Sequence, residues 1–435
     1  MFIWLLVSLF GLVAGGAHNS VNTWSGVLQY DEDWGYVDIR ANAHTFWWLY
    51  AVKPANNRPL FVCSSGFGNI EETGPKTLSG SDNPATWLQV ADMVYVDNPV
   101  GAGFSYVDAN SALTKNITDI GNDLLAWLRQ FLVVHSEYRS RPFYIFCESY
   151  GGKMTAEFGR QIANAIDAGT LTLNFRGVAL GDSWISAMDY VNTWGPYLYA
   201  NSFLDDNQLA EVQKQAGVCQ SLVDKGLWSE ATNCWGTMED LIGVETAGVS
   251  WYNILKYGGQ DDWSITRAKR SKEDVLDRLY RRFVAPLQTD QLSDYMDTVV
   301  RQKLGIIPEH VKFGAQAGAV FNYQSDDFMR PNYATVDELL SKNYAVVVYN
   351  GNEDLICNTI GTLRWMNRLQ WPSYGTFNKT ERVHFKTTSF PLAGYYKKYK
   401  NLSMYWILRA GHMVAYDTPE AAFYMLKKIV SDYNQ

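Results

Sequence analysis

The chain has 435 residues, 47% of them hydrophobic and 14% aromatic, with a formal net charge of −8. This apolar content excludes an intrinsically disordered chain and supplies a sizeable core. The acidic balance, with no basic run to reverse it, argues against nucleic acid as a partner.

Residues 1–17 form a short apolar run that ends in small residues, Ala14-Gly15-Gly16-Ala17, and is followed at once by polar ones. This is the pattern of a secretory signal peptide cut near Ala17. The run is too short to span a membrane comfortably, and no later stretch is apolar enough for a transmembrane helix, so no membrane span is expected. The sequons at Asn116, Asn378 and Asn401 agree with a secretory route and are the expected glycosylation sites. The chain has five cysteines, an odd count that leaves at least one unpaired. Cys219 and Cys234 are nearest in sequence and are the first candidates for a disulfide. Cys147 ends an apolar run and reads as a small buried hydrophobe.

Residues 24–52 alternate and are rich in aromatics, which predicts antiparallel strands. Short, continuously apolar runs then follow, separated by long helical stretches: Leu60 to Val62, Met93 to Val96, Phe143 to Phe146, Val178 to Leu180, Ala345 to Tyr349 and Met404 to Leu408. Such runs predict a parallel sheet covered on both faces. Helices are predicted at 117–135, 153–168, 335–342 and 419–432. Thr335 and Glu338 have capping-box spacing, and Thr418-Pro419 pairs a cap with proline at the first helical position. Between about 186 and 318 no buried-strand run appears and charged residues are frequent, notably from Arg267 to Arg282. That segment reads as a mainly helical insertion whose charge runs are solvated helix faces.

The run Phe143 to Cys147 leads through Glu148-Ser149-Tyr150 into Gly151-Gly152 and a helix. A serine between a buried strand and a helix has the setting of a nucleophile elbow, although Cys147 replaces the first glycine of G-x-S-x-G. An ordinary strand–helix turn is the competing reading until the rest of the chain is considered. In an α/β-hydrolase the serine is followed in sequence by an acid and then a histidine. Asp354 lies just past the strand Ala345 to Tyr349, at the rim where such sheets bind ligands, with Glu353 adjacent and able to compete. His412 follows the strand Met404 to Leu408, whereas His384, the other histidine beyond Asp354, lies in a polar stretch. In this arrangement His412 takes the proton of Ser149, and Asp354 orients His412.

The motifs Gly66 to Pro75 (GFGNIEETGP), Asp97 to Tyr106 (DNPVGAGFSY), Glu148 to Gly152 (ESYGG), Leu180 to Trp184 (LGDSW), Tyr349-Asn350-Gly351 leading to Asp354, and Ala410 to Met413 (AGHM) run in order through nearly the whole mature chain. Together they resemble the serine carboxypeptidases (peptidase family S10), and within them the retinoid-inducible group. The resemblance implies an α/β-hydrolase fold that removes single C-terminal residues from peptides at acid pH. It implies no metal and no organic cofactor, and a secreted or lysosomal location. It assigns Ser149, Asp354 and His412 as catalytic, the Tyr150 N–H to the oxyanion hole, and Glu148 with Glu72 to the substrate's C-terminal carboxylate. Two clustered carboxyls share a proton, so one of them can donate to that carboxylate, and both ionise and repel it as pH rises.

The sequence departs from the family in one place. The family carries a Gly-Gly-Pro-Gly loop after the strand that here begins Arg58-Pro59-Leu60-Phe61-Val62, and this loop supplies the second oxyanion N–H. This chain runs from Val62 directly into Cys63-Ser64-Ser65-Gly66. Loss of one oxyanion donor typically costs about 10²–10³ in rate. Two alternatives therefore stand beside the carboxypeptidase: an inactive homologue that binds peptide or protein, and an esterase or acyltransferase on the same triad. The expected organisation is a signal peptide (1–17), a first core part (18–185), a mainly helical cap insertion (186–318) and a second core part (319–435), with antiparallel strands at the N-terminal side of a mostly parallel sheet. Oligomeric state is not readable from the sequence.

Overall fold

The computed structural model describes residues 23–24, 28–54, 57–64, 66–256 and 290–434. The expected signal peptide and the charged run Arg267 to Arg282 lie outside the described residues.

The strands are β1 (Thr23–Trp24), β2 (Gln29–Arg40), β3 (Ala43–Val52), β4 (Leu60–Ser64), β5 (Asp92–Val96), β6 (Tyr106–Val107), β7 (Phe143–Ser149), β8 (Phe175–Ser183), β9 (Ala345–Gly351), β10 (Val383–Phe385), β11 (Gly394–Tyr399) and β12 (Leu402–Ile407). They form one 12-stranded sheet in the order β1-β2-β3-β5-β4-β7-β8-β9-β12-β11-β10, with β6 beside β3. The centre, from β5 through β12, is parallel, and both flanks are antiparallel. The aromatic N-terminal segment forms a single long hairpin, with Trp34 opposite Trp48 and Tyr36 opposite Phe46. The β10–β11 edge was not foreseen, because its few apolar positions alternate with lysines and polar residues.

The continuous apolar runs are explained by burial on two faces. Along β7, Phe143 and Ile145 enter the layer formed with helices α1 (Ile117–Val134) and α2 (Tyr150–Asp167). Tyr144 and Phe146 enter the opposite layer. Period-2 alternation of side chains therefore feeds two cores, and no polar face remains. Helix α1 begins where the Asn116 side chain accepts the Asp119 N–H at 2.9 Å, a sequence-local N-cap.

Between β8 and β9 lie α3 (Ala187–Ala200), α4 (Asp206–Asp224) and α5 (Trp228–Glu245), followed by helical turns from Asp290 to Leu304. Cys219 and Cys234 form a disulfide between α4 and α5. Further on come α6 (Tyr333–Ser341), α7 (Thr359–Met366) and α8 (Pro419–Tyr433). The expected capping box at Thr335 does not form: α6 starts two residues earlier, and the Thr335 hydroxyl donates to Asn332 Oδ1 at 2.6 Å. Pro419 does open α8, where its missing N–H costs nothing.

Candidate active site

Strand β7 ends at Ser149, whose φ of 59° and ψ of −135° are rare for a residue with a Cβ. Such a conformation costs on the order of 1–3 kcal/mol and persists only where its surroundings enforce it. Here the Ser149 carbonyl accepts the Trp184 N–H at 2.8 Å. Helix α2 begins at once with Tyr150, three residues earlier than the glycine pair suggests. Gly152 is what lets it do so, since a Cβ there would lie 1.9 Å from Ser183 Oγ on β8. As the first residue of α2, Tyr150 has no intrahelical carbonyl for its N–H. Ser149 opens onto a cavity of about 250 Å³.

His412 lines the same cavity. It is carried by the loop after β12, which is tied to the loop after β9 by three hydrogen bonds: Asn352 N to Ile407 O (3.0 Å), Glu353 N to Ala410 O (2.8 Å) and Arg409 N to Asn352 Oδ1 (2.7 Å). A Cβ at Gly351 would fall 2.0 Å from the Gly411 carbonyl, so the two loops meet only because glycine is there. His412 Nδ1 donates to Asp354 Oδ2 at 2.9 Å, and both residues are buried. A carboxylate can only accept, so Nδ1 carries a proton. Nε2 is buried and makes no hydrogen bond. The His412 N–H donates to the Tyr252 carbonyl at 2.7 Å, and the Tyr252 ring lies 5.1 Å from the imidazole. The neighbouring carboxylate, Glu353, accepts from Asn352 Nδ2 instead, and His384 is exposed on the edge strand β10. Ligating atoms of Asp354, Cys357 and His412 lie within 4.8 Å of one another. The Nδ1–Oδ2 hydrogen bond brings two of the three together.

Two more carboxyls face this space. Beyond β4 the chain reverses at Gly66 (φ +69°) into a wide helical turn, Gly68–Thr73, which brings Glu72 to the cavity wall. Glu148 precedes Ser149 on the same wall. Burial pushes Glu72 up to about 7, against the pull of the Tyr416 N–H. Burial and then the charge of Glu72 hold Glu148 well above the usual carboxyl range, against the Val414 N–H. Both N–H groups belong to the helical turn Val414–Asp417 just after His412. Glu72 Oε1 is buried with no hydrogen-bond partner.

Strand β4 pairs in regular register to its end, with Ser64 opposite Val96 and Val62 opposite Ile145. The cavity reaches around its end, so that side chains from both faces of the sheet, Ile145 and Phe146 among them, line it. Cys147 differs from its expected full burial: it lines the cavity half-exposed, and its thiol is pushed up to about 11 by the apolar surroundings. A thiol in that state is a poor nucleophile. Among the sequon asparagines, Asn378 is exposed and Asn116 caps α1. Asn401 Nδ2 donates inward to the Leu340 and Tyr344 carbonyls, at 2.9 and 2.8 Å, and a glycan on this nitrogen would replace one of the two N–H donors.

Sequence reasoning missed Asp182, a fully buried acid beside Asp354. The signal was available, since Asp182 follows the apolar run Val178 to Leu180 at a strand's C-terminal end, the same position that singled out Asp354.

A mostly parallel sheet with serine, acid and histidine at the ends of β7, β9 and β12 is an α/β-hydrolase. More narrowly, the chain belongs to the serine carboxypeptidase family, whose Peptidase S10 model matches residues 24–432. It is 42% identical to the retinoid-inducible serine carboxypeptidase of Mus musculus over 441 residues, 98% of this chain and 97% of the mouse protein. It is 35% identical to serine carboxypeptidase-like 51 of Arabidopsis thaliana, covering 92% of each. Among solved structures, the prohormone-processing carboxypeptidase Kex1Δp of Saccharomyces cerevisiae shares the fold with a TM-score of 0.77, at 18% identity and over 96% of this chain and 94% of the yeast one. Among the described residues no helix is long and apolar enough to cross a membrane.

Proposed function

We propose that the protein is a serine-type carboxypeptidase that releases C-terminal residues from peptides at acid pH. The observation that carries this reading is the strained Ser149 elbow sharing one cavity with His412, whose ring Asp354 orients. His412 Nε2 accepts the Ser149 proton as Oγ attacks the scissile carbonyl, then returns it to the departing amino acid. Water, deprotonated by the same nitrogen, hydrolyses the acyl-enzyme. The Tyr150 N–H stabilises the oxyanion, and the second donor comes from the sequence Cys63 to Gly66 at the end of β4. Glu148 and Glu72, both shifted toward the neutral acid, hydrogen-bond the substrate's free carboxylate. No step calls for a metal or organic cofactor. Residues 1–17 and the sequons, Asn378 most openly, fit a secreted or lysosomal protein.

The test compares a blocked dipeptide with its C-terminal amide. Strong preference for the free acid, lost when Glu72 and Glu148 are both changed to alanine, supports the reading. Equal turnover of acid and amide would turn it toward an esterase or acyltransferase.

A second reading, an inactive homologue that binds peptides, is favoured by the missing loop and by a His412 Nε2 that holds no hydrogen bond. It predicts saturable peptide binding without turnover, and turnover appearing when Gly-Gly-Pro-Gly is inserted after Val62.

A further inference from the structure

The mechanism above leaves one buried acid without a task. Asp182, near the end of β8, has a φ of +39° and no exposure. Its Oδ1 accepts from Asn350 Nδ2 at 2.9 Å and from the Gly351 N–H at 3.0 Å, while Oδ2 receives only the longer approach of that same N–H, 3.3 Å. The side chain also lies against that of Asp354, close enough for a hydrogen bond if one of the two acids is protonated. Two buried carboxylates in contact repel, and the contact is favourable only when one of the pair carries a proton and donates it to the other. The surrounding bonds indicate which. Asp354 Oδ2 accepts Nδ1–H from His412, and Asp354 Oδ1, also buried, has no hydrogen-bond partner and is open to an O–H donor. The two good N–H bonds of Asp182 converge on one oxygen, as they would on the carbonyl oxygen of a neutral acid. Its other oxygen is left to be the hydroxyl.

We propose that Asp182 is a positioning residue for the Asp354–His412 pair: a neutral acid whose O–H donates to the Asp354 carboxylate and fixes its orientation toward Nδ1. The proposal rests on the reading of Ser149, His412 and Asp354 as a triad. The groups facing Asp182 agree with it. Burial, and then the charges of Asp354 and Glu148, keep Asp182 well above the usual carboxyl range against the pull of the Gly351 N–H. Tyr349 on β9, Tyr197 on α3 and Cys357 beyond Asp354 are each pushed up by burial and bring no positive charge. No cation is among the groups acting on Asp182. A non-glycine residue at positive φ in this position is strain that the bonds to Asn350 and Gly351 hold in place.

The experiment uses the full chain with Asp182→Asn and Asp182→Ala variants and two readouts. Infrared difference spectra, wild type minus Asp182→Asn, should show the C=O band of a buried protonated carboxyl at pH about 7, above the ordinary carboxyl range. Fluorophosphonate labelling of Ser149 reports the triad without needing a peptide substrate. An asparagine keeps an N–H donor toward Asp354, so Asp182→Asn should label within about threefold of wild type, and Asp182→Ala at least about tenfold more slowly. On the alkaline side wild-type labelling should fall as Asp182 ionises, and the Asn variant should not show that fall. Absence of the difference band, or an Asn variant as slow as the Ala variant, would overturn the proposal. If wild-type Ser149 does not label at all, the triad reading fails, and the band alone then decides whether Asp182 is the proton-bearing partner.

Discussion

Replacing Glu72 with glutamine separates the carboxylate-binding role of the glutamate pair from the chemistry of the triad. The amide keeps a hydrogen-bond donor and similar volume but cannot ionise. In the wild type burial raises Glu72 to about 7, and burial with the charge of Glu72 holds Glu148 well above the usual carboxyl range. Below about 7 the site presents neutral donors, and above it a carboxylate faces the substrate's own carboxylate. Two unit charges 4 Å apart repel by about 4 kcal/mol at an effective dielectric of 20, close to a factor of 10³. The protonated fraction falls tenfold per pH unit, so kcat/KM should drop about tenfold per unit beyond pH about 7 before levelling. The assay is kcat/KM from pH 5 to 9 for a blocked dipeptide and for its C-terminal amide. The acid-to-amide ratio cancels ionisations of the triad, because both substrates use it. In the wild type this ratio should collapse above pH about 7, and in Glu72→Gln it should stay flat. A Gln variant that keeps the wild-type collapse would refute the assignment of that titration to Glu72.

Other outcomes follow from the same structure. Glu72 and the buried Asp97 both titrate at about 7 when folded, against about 4 when unfolded, so between those values the native state holds more protons. Their contribution to stability is fully present below about 4 and is lost as pH rises through about 7; calorimetry should give a higher Tm at pH 5 than at pH 8, and the reverse order would contradict this. Lys153 is fully buried, with Nζ 2.6 Å from Asp327 Oδ2. Asp327→Ala strands that charge and should cost roughly 3–5 kcal/mol in denaturant titrations, whereas a loss below about 1 kcal/mol would mean the lysine deprotonates or finds water. Replacing Cys219 and Cys234 with serine opens a loop of sequence separation 15. Chain entropy puts that at about 3 kcal/mol, measurable as a shift in the urea midpoint with unchanged slope, and no shift would contradict it.

The parts of the site that could be read from the sequence share one property. Ser149, Asp354 and His412 each follow a continuously apolar strand, and a parallel sheet buried on both faces places the ends of such strands along one rim. Period and order were therefore enough to bring together residues 205 and 58 positions apart in the chain (354 − 149 and 412 − 354). What escaped was set by contacts that leave no local pattern. The start of α2 was placed too late because Gly151-Gly152 looks like a turn, whereas Ser149 absorbs the bend and Gly152 serves the approach to Ser183. Thr335 matched a cap spacing, but helix α6 had already begun at Tyr333. The competition between Glu353 and Asp354 was settled by tertiary geometry, since only one of two adjacent carboxylates can turn inward to His412. Asp182 went unassigned because its role exists only through Asp354, Asn350 and Gly351, all more than 160 positions away.

The central claim is the proposal that Ser149 performs carboxypeptidase chemistry although Val62 runs directly into Cys63-Ser64-Ser65-Gly66, where the family resemblance leads one to expect a glycine loop. The most direct measurement is amino-acid release from a blocked dipeptide at pH about 5, near the carboxyl range the glutamate pair requires, by the mature protein and its Ser149→Ala variant. Multiple turnovers by the wild type that vanish in the variant are the predicted result, and they would mean that the stretch from Cys63 to Gly66 supplies the second oxyanion donor. No release by the folded wild type, with release appearing once Gly-Gly-Pro-Gly is inserted after Val62, would contradict the claim and leave a carboxypeptidase scaffold that binds without cutting.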